Sequence, residues 1–202
     1  MSAVPKPVTG RPPVTSHAQI EAVSFHLFAT QGFEDTTMEE IAAALDVGRR
    51  TLFRYFPSKN DIPWGQFDAS LANFRQTLAD QPGDIPLFEA VHRAMIDFNR
   101  FDDKALPQHR QRMTLILRTP ALQAHSVLRY RQWRAVIADY VADRLKVPAS
   151  SLVPRMVGQV SLAIALSVYE QWLDGDDRTL EEIFDLTDVA LREYADPPAG
   201  TR

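Results

Sequence analysis

Residues 37–59 constrain the fold of this 202-residue chain more than any other segment. They hold two short apolar-periodic segments, separated by Asp46-Val47-Gly48. Thr37 is followed by Glu40 three residues later, which is the capping-box pattern of a helix start. We expect the first helix to end before the Asp46-Val47-Gly48 turn, with Gly48 supplying the turn, and the second helix to cover residues 49–56. The segment therefore predicts a helix-turn-helix unit.

The second predicted helix is basic on its outer side. Leu52 and Phe56 are its apolar anchors, whereas residues 47–60 carry four cations and no acid. A helix of this kind enters a DNA major groove, where arginine binds guanine with two hydrogen bonds. Four cations on phosphates predict a salt slope of about −3 to −4 for one unit. The alternative is a solvated basic helix in a protein–protein bundle. The predicted DNA-binding residues are Thr37, Arg49, Arg50, Thr51, Phe53, Arg54, Tyr55 and Lys59.

This segment resembles the TetR family of bacterial transcriptional regulators over residues 16–62. The matching runs are Gly32-Phe33, Thr36-Thr37, Ile41-Ala42, Thr51-Leu52-Phe53 and Tyr55-Phe56-Pro57-Ser58-Lys59. The resemblance implies an all-α dimer of about nine helices, with a three-helix DNA-binding head and a larger ligand-binding body. It also implies a repressor that is released by a small molecule. Gly48 and Phe53 depart from the usual Ser and Tyr, so a hydroxyl cap and a phosphate contact of the family are missing or in doubt here.

A narrower resemblance extends past the turn. Residues 49–60, followed by Ile62-Pro63-Trp64-Gly65, look like actinobacterial regulators associated with mycofactocin, a peptide-derived redox cofactor. This resemblance implies control of mycofactocin-related redox genes and adds nothing about mechanism.

The chain divides into four predicted segments. Residues 1–15 form an arm rich in proline, 16–62 the DNA-binding domain, 63–195 the helical ligand-binding and dimerisation domain, and 196–202 a tail. In the arm, Gly10-Arg11-Pro12 either places Arg11 in a minor groove or belongs to a disordered tail. We expect a fourth helix that starts after Ser58 and runs to Leu78. Further helices are predicted over residues 85–101, 105–117, 120–146, 151–173 and 179–195.

Charge is segregated along the predicted body. Residues 104–134 carry seven cations and no acid, whereas residues 174–196 carry a net charge of −7. The basic segment, with apolar helices beside it, suits an anionic amphiphile such as an acyl-CoA; otherwise it is a solvated face or pairs with the acidic terminus. The predicted pocket residues, which are ordinary core in the alternative reading, are Phe88, Met95, Phe98, Met113, Leu117, Arg118, Leu122, Arg129, Tyr130, Trp133 and Arg134.

The helix predicted over residues 151–173 is apolar around most of its circumference. Such a helix must be covered on several sides, and one side suits a second copy of the chain. A dimer presents two heads about 34 Å apart, which matches a palindromic operator in double-stranded DNA. The resemblance places the dimer contacts on this helix and the last one, and the predicted interface residues are Val157, Ile164, Val168, Trp172, Leu180 and Phe184.

Composition argues against other classes of function. The chain has no cysteine, and its five histidines show no paired metal-ligand spacing. It has no glycine-rich phosphate loop and no nucleophile elbow. We therefore predict no catalytic residue, no metal and no cofactor. The most apolar stretch, residues 156–169, is shorter than a bilayer span, so a cytoplasmic protein without a membrane partner is expected. The rival hypothesis is a helical ligand-binding or adaptor module that does not bind DNA.

Overall fold

A computed structural model describes residues 15–195, so most of the predicted arm and the whole predicted tail lie outside the described residues. The chain forms two compact units, one ending at Gly65 and the other starting at Gln66. We call them the head and the body. Between residues 15 and 195 the secondary structure consists of nine α-helices and one short 3-10 helix, without strands. The predicted all-α class is confirmed.

The head contains three α-helices packed on a small apolar core. They are α1 (His17–Gln31), α2 (Met38–Ala44) and α3 (Arg49–Tyr55), followed by the 3-10 helix Lys59–Trp64. The capping box predicted for Thr37 and Glu40 is present on α2, and Ser16 with Gln19 forms another on α1. Each satisfies backbone N–H groups that a helix start leaves without partners. The fully or nearly buried side chains of the core are Ile20, Phe25, Phe28, Ile41, Leu52, Phe56 and Ile62.

The turn between α2 and α3 differs from the prediction in one respect. Asp46, with a φ of 53°, is the left-handed residue of the turn, whereas Gly48 is extended, with a φ of −67°. An aspartate tolerates this backbone conformation better than most residues. Gly48 is the N-cap of α3 and supplies no side-chain hydrogen bond there.

The body consists of six helices. Their bounds are α4 (Phe67–Ala79), α5 (Leu87–Phe98), α6 (Leu106–Arg118), α7 (Pro120–Leu145), α8 (Leu152–Leu173) and α9 (Leu180–Ala195). The five C-terminal helices lie where the sequence predicts them. The predicted fourth helix does not continue from Ser58. Pro63 lies within the 3-10 helix and Gly65, with a φ of 55°, ends it, so α4 starts only at Phe67. The Ser58 hydroxyl donates to the Asp61 carboxylate and makes no cap bond.

Helices α7 and α8 form an antiparallel hairpin that is unusually close at Gly158. Lys146, with a φ of 56°, ends α7 in the left-handed region. A Cβ atom built on Gly158 would lie 2.8 Å from the backbone oxygen of Arg134. Only a glycine lets the two backbones approach this far. This contact fixes which residues of the two helices face each other.

Helix α8 is long and apolar enough to cross a membrane by its length and composition, contrary to the prediction from residues 156–169. The core helix of a water-soluble protein meets the same criterion. Helix α8 packs against α7, α9 and α6, and it buries Ser161 and Gly158 among protein neighbours.

Candidate DNA-binding site

The core of the head determines which face of α3 is exposed. Leu52 is completely buried and Phe56 nearly so, which turns one side of the helix inward. Arg49, Arg50 and Arg54 lie on the opposite, exposed side, and Thr51, Phe53 and Tyr55 are half-buried at its margins. Residues four positions apart share a helical face, so Arg50 and Arg54 form one row and Arg49 and Phe53 another. The arrangement presents three guanidinium groups on a helix of seven residues.

Arg49 is held in place by two contacts within the head. Its Nη1 atom lies 2.8 Å from a carboxylate oxygen of Glu39 on α2, and its guanidinium lies 5.2 Å from the centre of the Phe53 ring. Both partners of the ion pair remain more than half exposed. Sequence reasoning missed Glu39, because an acid in the first turn of a helix is already explained by the helix dipole.

Among the four cations of residues 47–60, Arg50 and Arg54 are the least engaged. Within residues 15–195, no hydrogen bond or ion pair involves the side chain of Arg50. The Arg54 guanidinium lies 5.6 Å from the centre of the Tyr55 ring and points into an exposed region. Because no acid between residues 15 and 195 forms an ion pair with either arginine, this row keeps positive charge that attracts a polyanion.

Two of the predicted DNA-binding residues, Lys59 and Tyr55, form hydrogen bonds within the head. The Lys59 ammonium donates to the carbonyl oxygens of Phe33 at 2.6 Å and Glu34 at 3.0 Å. It also lies 4.6 Å from the centre of the Phe33 ring. The Tyr55 hydroxyl donates to the Thr15 carbonyl. Because these groups hold the loop after α1 and the chain before α1, we reassign both side chains to positioning the head.

Thr37 is a helix cap in this structure. Its side-chain oxygen accepts from the Glu40 N–H at 3.2 Å, and its hydroxyl donates to the Glu40 carboxylate at 2.8 Å. The Thr37 backbone N–H also donates to that carboxylate, and this bond is the main reason why the pKa of Glu40 is lowered. The side chain of Thr37 is therefore engaged in capping α2, two residues before Glu39.

In the body, some of the predicted pocket residues converge and others do not. The rings of Phe98 and Trp133 both contact Phe74 of α4, with centroids 4.7 Å and 5.4 Å away. Phe88, by contrast, is about half exposed and stacks on His92. Among the predicted pocket residues, Met95, Leu122 and Trp133 are buried, whereas Phe98, Met113, Leu117 and Tyr130 are half-buried.

The arginines of the basic segment do not meet at one point. Arg118 pairs with Asp174 at 2.6 Å, as expected if the basic segment pairs with the acidic residues 174–196. The Arg134 guanidinium donates to Gln159 on α8. Arg129 lies 5.4 Å from the centre of the Phe67 ring and 3.8 Å from the Asp68 carboxylate on α4. The structure therefore distributes the predicted anion-binding residues over separate contacts.

A buried polar network between α5, α6 and α8 escaped sequence reasoning. The Tyr169 hydroxyl donates to the Asn99 side-chain oxygen and lies 2.8 Å from Nε2 of His109. Burial, with the nearby Arg112 charge, lowers the pKa of His109 to about 3, so this imidazole is neutral at pH 7. Burial raises the pKa of Tyr169. Groups 60 or 70 residues apart leave no local pattern that could have revealed the network.

Four of the six predicted interface residues belong to the core of a single chain. Val168, Trp172, Leu180 and Phe184 are buried, because α8 and α9 turn these side chains towards each other and towards the neighbouring helices. Val157 and Ile164 are half-buried. The large apolar side chains that α8 and α9 leave exposed are Leu152, Val153, Met156, Val160, Leu186 and Val189.

The compact three-helix head, with an exposed basic face on its third helix, defines a helix-turn-helix DNA-binding regulator. Residues 20–62 match the family model described as bacterial regulatory proteins of the tetR family. Residues 85–196 match the model described as the MftR C-terminal domain. The chain belongs to the TetR family of transcriptional regulators, and its body is of the MftR type.

Individual proteins agree with this assignment. A Mycobacterium tuberculosis protein, named as a candidate mycofactocin biosynthesis transcriptional regulator (MftR), is 42% identical over 173 residues, covering 86% of this chain and 87% of that protein. The regulator TcmR of Streptomyces glaucescens is 32% identical over 174 residues, covering 82% of this chain and 76% of TcmR.

Solved structures share the fold at low sequence identity. A TetR-family regulator from Syntrophomonas wolfei has a TM-score of 0.64 at 15% identity, covering 92% of this chain and 97% of its own. Thermus thermophilus FadR, a TetR-family repressor solved with lauroyl-CoA, has a TM-score of 0.53 at 18% identity, covering 93% of this chain and 97% of its own.

The described residues offer no arrangement typical of a metal centre. Between residues 15 and 195, no three or more histidine or acidic side chains come together to hold a metal ion. His92 pairs with Asp185 at 3.6 Å, and Asp97 pairs with Arg100 at 3.3 Å. The family consists of transcriptional regulators and not of enzymes.

Proposed function

We propose that this chain is a homodimeric repressor that binds a palindromic operator in double-stranded DNA and is released by an anionic amphiphile. The observation that carries the DNA-binding part is the exposed row of Arg50 and Arg54 on α3, opposite the buried Leu52. Of the four cations in residues 47–60, Lys59 and Arg49 have partners in the head, so Arg50 and Arg54 are the two left for phosphates.

The proposed dimer uses an apolar stripe on α8. Leu152, Met156 and Val160 are spaced four residues apart and are all exposed, Leu152 to 79%. Val157 and Ile164, from the predicted interface, lie beside this stripe and are half-buried. A single chain rarely leaves a contiguous apolar patch uncovered. The family, whose members typically dimerise, supports burial of this stripe against a second copy.

The proposed effector is an acyl-CoA or a similar anionic amphiphile. Its apolar tail would enter the aromatic cluster in which the Phe74 ring lies 4.7 Å from the Phe98 ring and 5.4 Å from the Trp133 ring, measured between centroids. Arg129 lies one helical turn before Trp133 on α7, and its guanidinium lies 5.4 Å from the centre of the Phe67 ring, so it is our candidate for binding the acidic end of the ligand. The lauroyl-CoA bound by the FadR structure supports this ligand class by analogy of fold.

The proposed target genes are those of mycofactocin-related redox metabolism, and the proposed location is the cytoplasm. Both follow from the resemblance to the MftR-type regulators, over the head as well as the body. A helical adaptor without DNA binding remains the rival function, and it predicts no duplex binding at any salt concentration.

Selection of bound duplexes from a random pool tests the DNA-binding part. We expect a palindromic consensus whose half-sites are centred about 10 base pairs, or a multiple of this, apart.

Sedimentation should show a dimer, and Met156→Glu should yield monomers that bind the selected duplex more weakly. A folded dimer that enriches no sequence would contradict the proposal.

Release of the selected duplex tests the effector. An acyl-CoA should weaken binding of the wild type, and Arg129→Ala should raise the concentration needed by about tenfold, the loss of one charge-assisted contact. Arg118→Ala is the matched control, because Arg118 is engaged by Asp174. If no acyl chain length shifts the melting temperature or releases DNA, this effector class is excluded.

A further inference from the structure

We infer that Glu39 and Arg49, which lie on different helices of the head, act as one guanine-reading pair in which Glu39 sets base specificity. The inference rests on the proposed DNA binding and deepens it. It assigns a function to an acidic residue on a surface that otherwise attracts a polyanion.

The first observation is the geometry of the pair. Glu39 is in the first turn of α2 and Arg49 is the first residue of α3, so their 2.8 Å ion pair joins the starts of the two helices. Recognition helices contact base edges chiefly with their N-terminal residues. Arg49 is therefore at the position on α3 that reaches furthest into a major groove, and Glu39 is its neighbour.

The second observation is that Arg49 is pre-oriented. The Glu39 carboxylate holds one terminal nitrogen, and the Phe53 ring lies 5.2 Å from the guanidinium carbon. Arginine has five N–H donors in a rigid plane, so the bond to Glu39 leaves enough donors for the two acceptors of guanine. An arginine that is already fixed loses less conformational freedom when it binds. The pair is thus prepared for a directional contact.

The third observation is the contrast with the neighbouring arginine. Arg50 is exposed, and no ion pair or hydrogen bond within residues 15–195 fixes its side chain. An exposed cation without an ion pair contacts phosphates equally well on any sequence. The two adjacent arginines are therefore inequivalent, with Arg50 contributing general affinity and Arg49 contributing selectivity.

The negative charge of Glu39 serves the same selectivity. The carboxylate of Glu40, the other acid of this turn, accepts hydrogen bonds from Thr37 in the helix cap. The Glu39 carboxylate instead forms its ion pair with Arg49. On a non-specific duplex the carboxylate offsets the charge of Arg49 and repels phosphates. On a site with guanine at the correct position, Arg49 gains two hydrogen bonds without leaving Glu39. Discrimination between the two kinds of DNA increases as a result.

Base preferences of Glu39→Gln and Arg49→Ala test the inference, with Glu34→Gln as the control. Glu34 is an exposed acid of the same head whose carboxylate forms no ion pair within residues 15–195. Affinities for the selected operator, for each single-base variant of one half-site and for unrelated duplex give a profile of discrimination. Circular dichroism verifies that each variant is folded.

We expect Arg49→Ala to lose about tenfold or more of the discrimination at one base pair per half-site. Glu39→Gln should lose about three- to fivefold at the same base pair, as expected for an exposed ion pair. It should also bind unrelated duplex more tightly, with a salt slope steeper by about 0.9 per head, because Arg49 becomes available to phosphate. Glu34→Gln should leave the profile of discrimination unchanged, and the combined Glu39→Gln/Arg49→Ala variant should lose no more than Arg49→Ala alone.

The inference is overturned if Glu39→Gln leaves the profile unchanged, or if the two substitutions alter different base pairs. It is likewise overturned if Arg50→Ala, and not Arg49→Ala, removes the discrimination at the base pair that Glu39→Gln affects. Failure of the proposed function has another signature, since the wild type itself would then bind no duplex.

Discussion

The head and the body use their arginines in opposite ways. In the head, Arg50 and Arg54 lie on an exposed row of α3, and neither forms an ion pair within residues 15–195. In the body, Arg118 pairs with Asp174, and the Arg110 guanidinium lies 4.0 Å from the centre of the Trp172 ring. The basic segment of the body has the larger charge in the sequence, yet four of its arginines, Arg110, Arg118, Arg129 and Arg134, contact other parts of the body. Local charge therefore identifies a binding surface only where the fold leaves it uncompensated.

The same contrast applies to polar networks. The head keeps its ionised groups at the surface, where both partners of the Arg49–Glu39 ion pair are more than half exposed. The body buries neutral groups, with the Tyr169 hydroxyl bridging Asn99 and His109. Buried networks of this kind fix one packing arrangement, because an unsatisfied member costs free energy. We expect the head to respond to salt and the body to respond to pH.

The largest expected effects come from removing one core ring in each unit. Phe56 in the head and Phe184 in the body are both almost fully buried, so replacing either by alanine should cost about 3 to 5 kcal/mol. Phe56→Ala should abolish DNA binding while hydrogen exchange in the body stays slow. Phe184→Ala should speed exchange in the body first. Equal loss of protection in both units for either variant would contradict two separately stabilised units.

Removing the exposed row of the head has the next largest effect. Arg50→Ala/Arg54→Ala should weaken operator binding by about tenfold to a hundredfold at fixed salt, because uncompensated cations are lost from the DNA-facing surface. Titration of labelled duplex measures the change. Arg118→Ala, which removes a paired arginine from the body, should leave the affinity unaltered. An equal loss for both variants would remove the distinction between the two sets of arginines.

The pH dependence of stability tests the buried histidine. The pKa of His109 is about 3 in the folded chain, below its ordinary value of 6.5, so the unfolded chain binds a proton first as the pH falls. The contribution of His109 to stability is therefore complete above pH 6.5 and decreases towards pH 3, by about 2 kcal/mol at pH 5. Urea unfolding at several pH values measures this loss. His109→Leu should flatten the curve between pH 5 and 7, and substitution of the exposed His26 by Gln should not.

The smallest effect is expected at the close contact of α7 and α8. Gly158→Ala places a Cβ atom against the Arg134 carbonyl, so the helices must separate, at a net cost of about 1 kcal/mol after the gain in helix propensity. Gly83→Ala is the control, because open space surrounds that position. Thermal unfolding of the two variants measures the difference. A Gly158→Ala variant as stable as the Gly83→Ala variant would show that the contact is looser than described.

Local signals in the sequence predicted most of the fold. The capping boxes at Ser16, Thr37 and Thr179 each form the reciprocal bonds that define a helix start. These signals act within four residues, so a single sequence contains them in full. The break between the 3-10 helix and α4 was missed because a continuous apolar spacing outweighed Pro63 and Gly65 in the prediction.

Long-range pairing could not be predicted in the same way. Helical periodicity identified α8 as apolar on most sides, but it does not say which side faces its own core, and Trp172 and Phe184 proved to be core residues. The partners of Lys59 and Arg49 lie 26 and 10 residues away along the chain, on loops and helices whose approach only the fold determines. The sequence therefore predicted a basic helix, and the structure separates its free cations from its engaged ones.

The salt dependence of operator binding tests the central claim most directly. Arg50 and Arg54 form no ion pair within residues 15–195, and these two cations on each α3 predict that the logarithm of the affinity falls with the logarithm of salt concentration with a slope of about −4 for the dimer. The slope should approach zero in the Arg50→Ala/Arg54→Ala variant. A wild-type slope near zero, or an unchanged slope in the variant, would contradict the assignment of this row as the DNA-facing surface.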